Sequence, residues 1–262
     1  MKKATWLVML VSLVGLVGTT GCPAFLRPAA DVLIPVEEER ALGEEIEGEL
    51  HEELEFSDDE VLRSYVEGLG NDIVRRIDER PRGIRFRFYV VDDPEMINAF
   101  AVPGGGIYVY TGLIRAMDNE AELTAVLAHE IAHVTRRHIA QRLVAIYGVD
   151  LLSRMALGQE PGTVAQIVNA VVQTGMFLRY SRDQERDADA FGVQYHVAAG
   201  YNPEAFITFF RKLEAQPSPP TFLSTHPSPR ERIENIRQHI REFDRVPSRL
   251  EEERFLQMRN RI

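Results

Sequence analysis

The sequence predicts a mostly helical α+β fold with one small sheet. Three observations carry this expectation. Apolar residues recur at helical spacing over 58–79, through Val61, Leu62, Tyr65, Val66, Leu69, Ile73, Val74 and Ile77. Residues 86–91 alternate as a half-buried strand does. Residues 98–102 and 107–110 read as two more strands, joined by a turn at Pro103, Gly104, Gly105 and Gly106.

The elements follow in order. Lys2 and Lys3 precede an apolar run over 7–17, and small residues lead to Gly21 and Cys22. Charge, length and flank predict a secretory signal peptide over 1–21. Cys22 is the only cysteine, and it falls where a bacterial lipoprotein signal is cut and acylated. Thr19 departs from the Leu usual three residues before that cysteine. An uncleaved anchor over 4–21, barely long enough to span a bilayer, and cleavage with release are the other readings. All three place the rest of the chain outside the cytoplasm. A triacylated Cys22 would hold it to a membrane, the outer one in preference to the inner. Residues 22–36 read as a tether, and 37–243 as one large domain.

Residues 37–54 predict a helix whose many acids, from Glu37 to Glu60, make a solvated face. Asn119 with Glu122, or Asp118 as a rival cap, starts a helix that runs to Thr135. The stretches 143–157 and 164–178 are apolar but broken by Asp150, Arg154, Gln166, Asn169 and Gln173. They are too short and polar to cross a membrane. Residues 139–178 therefore predict a helical pair, laid over the rest of the domain. Helices are expected over 183–199, over 202–214 with Pro203 in the first turn, and over 230–243. Residues 216–229 read as a Pro/Ser-rich loop, and 244–262 as a mobile tail.

Composition bounds the function. The chain has 262 residues, 45% hydrophobic and 27% charged, with a formal charge of −10. An acidic balance argues against nucleic acid as a partner and suits a solubilised envelope protein. One cysteine means that stability does not rest on disulfides. No serine sits in a G-x-S-x-G elbow, so nucleophile triads are not supported.

The chemistry centres on His129-Glu130-Ile131-Ala132-His133. On a helix, positions i and i+4 share a face, so His129 and His133 can point two imidazoles at one metal. Glu130 lies about 100° round the helix and can reach a water without being a ligand. The pattern predicts zinc-dependent peptide hydrolysis. By chance such a pattern also marks an ordinary polar helix. Here the flanks are apolar on most sides, through Ala121, Leu123, Ala125, Val126, Leu127, Ala128, Ile131, Ala132 and Val134. A helix apolar all round is buried, and buried charge is costly unless paired or metal-bound.

A third ligand must come from elsewhere. Glu185, in Glu185-Arg186-Asp187-Ala188-Asp189, is the best candidate. Asp189, one turn on, could accept the free N–H of a ligand imidazole. The rival reading is a solvated charged face.

With these motifs in order, the chain resembles the gluzincin zinc metallopeptidase family of HtpX, BepA and the CaaX prenyl endopeptidase. Further matches are Asn98-Ala99-Phe100-Ala101-Val102-Pro103-Gly104-Gly105-Gly106, then Thr111-Gly112-Leu113, and the late Thr225-His226-Pro227 with Arg232. The likeness covers about residues 60–240. It implies a zincin-like domain with a small mixed sheet packed on the metal-binding helix. It implies one zinc per chain on His129, His133 and Glu185, with Glu130 as general base and Asp189 orienting an imidazole. Asn98, Ala99, Phe100 and Ala101 would be an exposed edge strand that takes extended substrate, as unpaired backbone groups allow. They could also be no more than a strand beside a turn. His226 could stabilise the oxyanion, plug the metal in a resting state, or be a loop histidine. Arg232 is as readily a structural ion pair. Residues 139–178 would cover the active site. His51, His138, His196 and His239 read as structural or surface residues, with His138 facing away from the ligands. The substrates implied are unfolded or misassembled envelope proteins. The alternative is a chaperone-like assembly factor for outer-membrane proteins with gated or secondary proteolysis. Oligomeric state is not indicated.

Overall fold

The computed structural model describes residues 34–78, 81–174, 177–216, 218–226 and 229–262. The signal-peptide expectation, Cys22 and nearly all of the 22–36 tether lie outside the described residues.

Helix α1 (Val36–Glu53) starts behind Pro35, with Glu37, Glu38 and Glu39 in its first turn, where the helix dipole favours acids. It buries Leu42, Ile46 and Leu50, spaced by four, and leaves most of its acids on the outer side. Two acids turn inward and are paired. Glu39 accepts from Arg137 Nε at 2.9 Å, and Glu47 accepts from Arg87 at 2.5 and 2.8 Å. Helix α2 (Glu60–Arg75) is capped by Asp59, whose carboxylate accepts from Leu62 N–H at 3.0 Å. Its stripe is buried as the spacing predicts, with Val61 alone left exposed.

The sheet is small and mixed, in strand order β1–β3–β2. β1 (Arg87–Val91) runs parallel to β3 (Gly106–Tyr110), and β2 (Ala99–Ala101) runs antiparallel to it, with Phe100 opposite Tyr108. The β2–β3 turn needs positive φ at Gly104 (78°) and Gly105 (102°), which only glycine adopts at no steric cost. β2 is an edge strand, as expected, but not an exposed one. Asn98, Ala99, Phe100 and Ala101 are all buried. Phe177 stacks on Phe100 with ring centres 6.3 Å apart, and Phe222 N–H donates to Ile97 C=O at 3.1 Å.

After the short α3 (Thr111–Arg115) comes α4 (Glu120–Thr135), the core helix, with every residue buried. The sheet lies against one side of α4, and α7 (Arg182–Ala198) packs along another. Between them the chain makes α5 (His138–Ala156), broken at Gly148, and α6 (Pro161–Thr174). Both lie along α1. Phe177, at the end of the 139–178 stretch, stacks on Phe100 of β2, and Tyr180, just beyond it, stacks on His133. Among the described residues no helix is long and apolar enough to cross a membrane.

Helix α8 (Glu204–Glu214) and α10 (Pro229–Ile240) complete the layer beyond α7. The loop between them holds a short helix, α9 (Thr221–Thr225), with His226 at its C-terminal end. The C-terminal segment is not a free tail. Helix α11 (Glu252–Arg259) buries Phe255 completely. Leu250 C=O accepts from Ala121 N–H at 3.1 Å, and Arg249 Nη2 reaches Glu120 at 3.0 Å. Residues 249–259 thus clamp the start of α4.

Candidate active site

The site grows from α4. Asn119 caps the helix by accepting from Glu122 N–H at 3.0 Å, while the Glu122 carboxylate reaches back to Asp118 N–H at 2.9 Å. Helix spacing then puts His129 and His133 on one face, with their Nε2 atoms 3.0 Å apart. Helix α7 supplies Glu185, whose Oε1 lies 3.5 Å from His133 Nε2 and whose Oε2 lies 3.6 Å from His129 Nε2. The close approach of α7 rests on Gly192. A Cβ there would meet His129 Cα at 3.2 Å.

His226 closes the set. Its Nδ1 stands 3.3 Å from His129 Nε2 and 3.0 Å from Glu185 Oε1. His129, His133, Glu185 and His226 are all buried, and each offers one donor atom within 4.8 Å of the others. Tetrahedral donors about 2.05 Å from zinc would stand about 3.3 Å apart. Four of the donor pairs stand 3.0–3.5 Å apart, and all four donors lie within 4.8 Å of one another. Glu130 adds a second sign. It is fully buried beside the set, and neither carboxylate oxygen has a hydrogen-bond partner among the described residues. Buried carboxylates are not left so without a reason. The donor set and the unpartnered base both fit a metal ion with a water.

Surrounding charges hold this geometry. Asp189 Oδ1 lies 3.1 Å from His129 Nδ1, where the free N–H of a metal-binding imidazole points. Arg232 is buried over the Phe210 ring and spans both carboxylates. Its Nη1 lies 2.7 Å from Glu185 Oε2, and its Nε and Nη2 donate to Asp189 at 2.8 and 2.6 Å. Arg232 is therefore an ion pair, and it lies inside the site.

Titration follows from these contacts. Burial pushes Glu185 and Asp189 up, but Arg232 and the surrounding histidines together hold Glu185 well below the usual carboxylate range, and Arg232 with His129 holds Asp189 below it. Burial and Arg232 push His129 down, while its hydrogen bonds to Asp189 and Glu185 carry it the other way, to about 9. Burial drives His133 well below the ordinary imidazole value. Burial raises Glu130 above the ordinary carboxylate value, against the pull of His226 and His129.

Two neighbours went unread in the sequence. Tyr180 stacks on His133 with ring centres 3.7 Å apart, and nothing in its local sequence marks it. His138 does not face away from the ligands. It is buried, with Nδ1 3.1 Å from His133 Nδ1. Extrapolating one straight helix through residue 138 is what misplaces it. The chain turns at Arg137, a non-glycine residue with φ 56°, and restarts a helix at His138. His196 fits its structural reading: burial lowers it to about 3, and its Nε2 meets Ala121 C=O at 3.0 Å. His51 stacks on Phe56 and His239 pairs with Glu242, both away from the site.

Comparison with known proteins bears on the same residues. Residues 62–240 match peptidase family M48. The chain belongs to that family. Its class is therefore that of a metallopeptidase, and His129, His133, Glu185 and His226 form a buried group that could hold a metal ion. Among similar proteins, the beta-barrel assembly-enhancing protease of Yersinia pestis is 30% identical over 241 residues, covering 84% of this chain and 47% of that protein. A putative beta-barrel assembly-enhancing protease of Vibrio cholerae is 33% identical over 201 residues, covering 71% and 40%. The mitochondrial metalloendopeptidase OMA1 of Schizosaccharomyces pombe is 31% identical over 163 residues, covering 61% and 48%. The chain thus spans less than half the length of these M48 relatives.

Proposed function

We propose that this M48 chain is a zinc endopeptidase that cuts unfolded or misassembled proteins of the bacterial cell envelope. One observation carries the reading: a buried cluster of four donors within 4.8 Å of one another, beside a Glu130 carboxylate that accepts no hydrogen bond among the described residues. His129, His133 and Glu185 hold one zinc per chain; two imidazoles and a carboxylate are a catalytic zinc set that leaves a position for water. When bound, the ion lowers the pKa of a water and polarises the scissile carbonyl.

The protein groups do the rest. Glu130 takes the proton from that water and passes it to the leaving amine. Its raised pKa suits a carboxylate that must both take and give a proton near neutral pH. Asp189 fixes the His129 ring, and Arg232 keeps Glu185 and Asp189 ionised. His226, once out of the donor set, donates a hydrogen bond to the developing oxyanion. Its Nε2 lies 3.4 Å from Glu130 Oε1, so it already faces the reacting side. No covalent intermediate is needed. Asn98, Ala99, Phe100 and Ala101 receive the substrate backbone as an added strand once β2 is uncovered. Backbone recognition selects unfolded chains.

A processed and acylated Cys22 places the enzyme in the periplasm, held to a membrane, the outer one by preference. The names of the Yersinia and Vibrio relatives agree with an envelope setting. A second reading is favoured by the covered β2 edge and the third imidazole, His226, as fourth member of the donor set. On that reading proteolysis is gated, and the chain acts chiefly as a chaperone-like assembly factor for outer-membrane proteins.

Cleavage of unfolded casein by the zinc-quantified protein, beside Glu130→Gln, tests the proposal. Cleavage lost in the variant at equal zinc supports it. One zinc without cleavage, restored by His226→Ala, supports gating. No zinc uptake refutes both readings.

A further inference from the structure

The geometry points to His138 as a positioning residue for the metal site: with Asp187 it holds His133 in the one tautomer that can bind zinc. The inference rests on His133 being a ligand, as proposed above.

His133 uses its two ring nitrogens in opposite directions. Nε2 faces the donor set, 3.0 Å from His129 Nε2 and 3.5 Å from Glu185 Oε1. Nδ1 faces away, 3.1 Å from His138 Nδ1. A hydrogen bond between two imidazole nitrogens needs one donor and one acceptor. A neutral imidazole carries a single N–H, and a ligating nitrogen gives up its lone pair. If His133 binds through Nε2, its proton is on Nδ1. His138 Nδ1 must then accept, which leaves the His138 proton on Nε2. That nitrogen stands 3.2 Å from Asp187 Oδ2. Asp187 is fixed in turn by Arg136, at 2.6 and 3.3 Å, and the guanidinium lies 4.0 Å from the Phe191 ring centre. Each link fixes the next, and no other proton arrangement leaves His133 free to ligate.

The backbone is arranged to make this contact. Arg137 takes a left-handed φ, which is unfavourable for a non-glycine residue. Its side chain holds the turn by donating to Glu39 Oε2 at 2.9 Å and to Ile34 C=O at 2.5 Å. Gln184 Nε2 donates to His138 C=O at 3.3 Å from the first turn of α7. The two ligand imidazoles are thus supported differently. His129 meets the carboxylate of Asp189 directly at 3.1 Å, while His133 reaches Asp187 through a second imidazole. Outer partners of ligand histidines raise their basicity and orient the ring.

The test is zinc affinity of the full chain, by competition with a chromophoric chelator, for His138→Asn and His138→Leu. Asparagine keeps an acceptor near the Nδ1 position; leucine fills the space without one. His138→Leu should lose about 10–100-fold in affinity, and His138→Asn should stay within about threefold of wild type. Melting of the metal-free proteins separates lost affinity from lost folding. The Co²⁺ absorption spectrum, which reads ligand geometry directly, should shift in His138→Leu and not in His138→Asn. Equal affinities in the two variants, whether both intact or both weak, overturn the inference. Asp187→Asn, at a partly exposed side chain, removes the charge that faces His138 Nε2 and should lose several-fold; unchanged affinity there overturns the inference as well. Wild-type protein that takes up no zinc fails at the earlier step, the reading of His133 as a ligand.

Discussion

Glu130 should destabilise the fold that carries it. Its carboxylate is fully buried and accepts no hydrogen bond from the described residues. Burial raises its pKa, with Glu185 adding to the rise and His226 and His129 opposing it. A folded pKa above the unfolded value means the folded state favours the protonated form. Glu130 therefore costs nothing below the unfolded value of about 4.3 and costs most once pH has risen through the folded pKa. Glu130→Gln removes that charge at constant shape. An unsatisfied buried polar group costs about 1–3 kcal/mol. For a domain of this size each kcal/mol moves Tm by about 2–4 °C. Metal-free Glu130→Gln should thus melt about 2–12 °C above wild type at pH 7, with the gap closing toward pH 4.5. The same variant should lose about 10²–10⁴-fold in peptide cleavage, the usual worth of a general base. Thermal melts of the two metal-free proteins at both pH values decide it. A variant that melts at or below wild type at pH 7, or a gap that ignores pH, would refute the account of Glu130 as a strained base.

Three further outcomes follow from the packing. Arg232→Met leaves Glu185 and Asp189 buried without their cation, so the metal-free protein should lose about 3–5 kcal/mol, and zinc should restore part of it; chemical denaturation with and without zinc reads both. Gly192→Ala puts a methyl 3.2 Å from His129 Cα, and should cost about 1–3 kcal/mol and weaken zinc binding together; a loss of stability with wild-type zinc affinity would separate helix packing from the site. Phe255→Ala should cost about 3–5 kcal/mol by urea melting, because that ring is fully buried; an unchanged midpoint would make residues 249–262 a free tail after all.

What the sequence disclosed, and what it hid, divides along local and non-local physics. His129, Glu130 and His133 are readable because helix periodicity alone puts them together, and their burial is readable because Ala125, Val126, Leu127 and Ala128 leave α4 no polar face. Glu185 and Asp189 are readable for the same reason three helices later, on α7. His138 is not, since one left-handed residue at Arg137 ends the helical phase that places it. The clamp made by residues 249–259 is not, since it rests on one buried ring and on backbone bonds such as Ala121 N–H to Leu250 C=O, which leave no apolar pattern. The cover over β2 is not, since Phe177 and Phe222 reach it from segments 77 and 122 residues beyond Phe100.

That cover joins substrate access to metal coordination. Two segments close the site. One carries Phe177, on the Phe100 ring, and Tyr180, on the His133 ring. The other carries Phe222, tied to Ile97 C=O, and His226, in the donor set. They are bonded to each other, with Tyr180 N–H 3.4 Å from Thr225 C=O. The Phe222 ring also stacks on His226 with centres 4.5 Å apart. Moving Phe222 off the strand edge therefore drags His226 out of the donor set, and placing His226 back draws Phe222 onto the edge. On the proposed reading, an extended substrate would need this cover moved before it could pair with β2. If β2 takes substrate and His226 leaves the donor set as proposed, these contacts would couple the two, and an endopeptidase and a gated assembly factor would differ only in how often this joint opens.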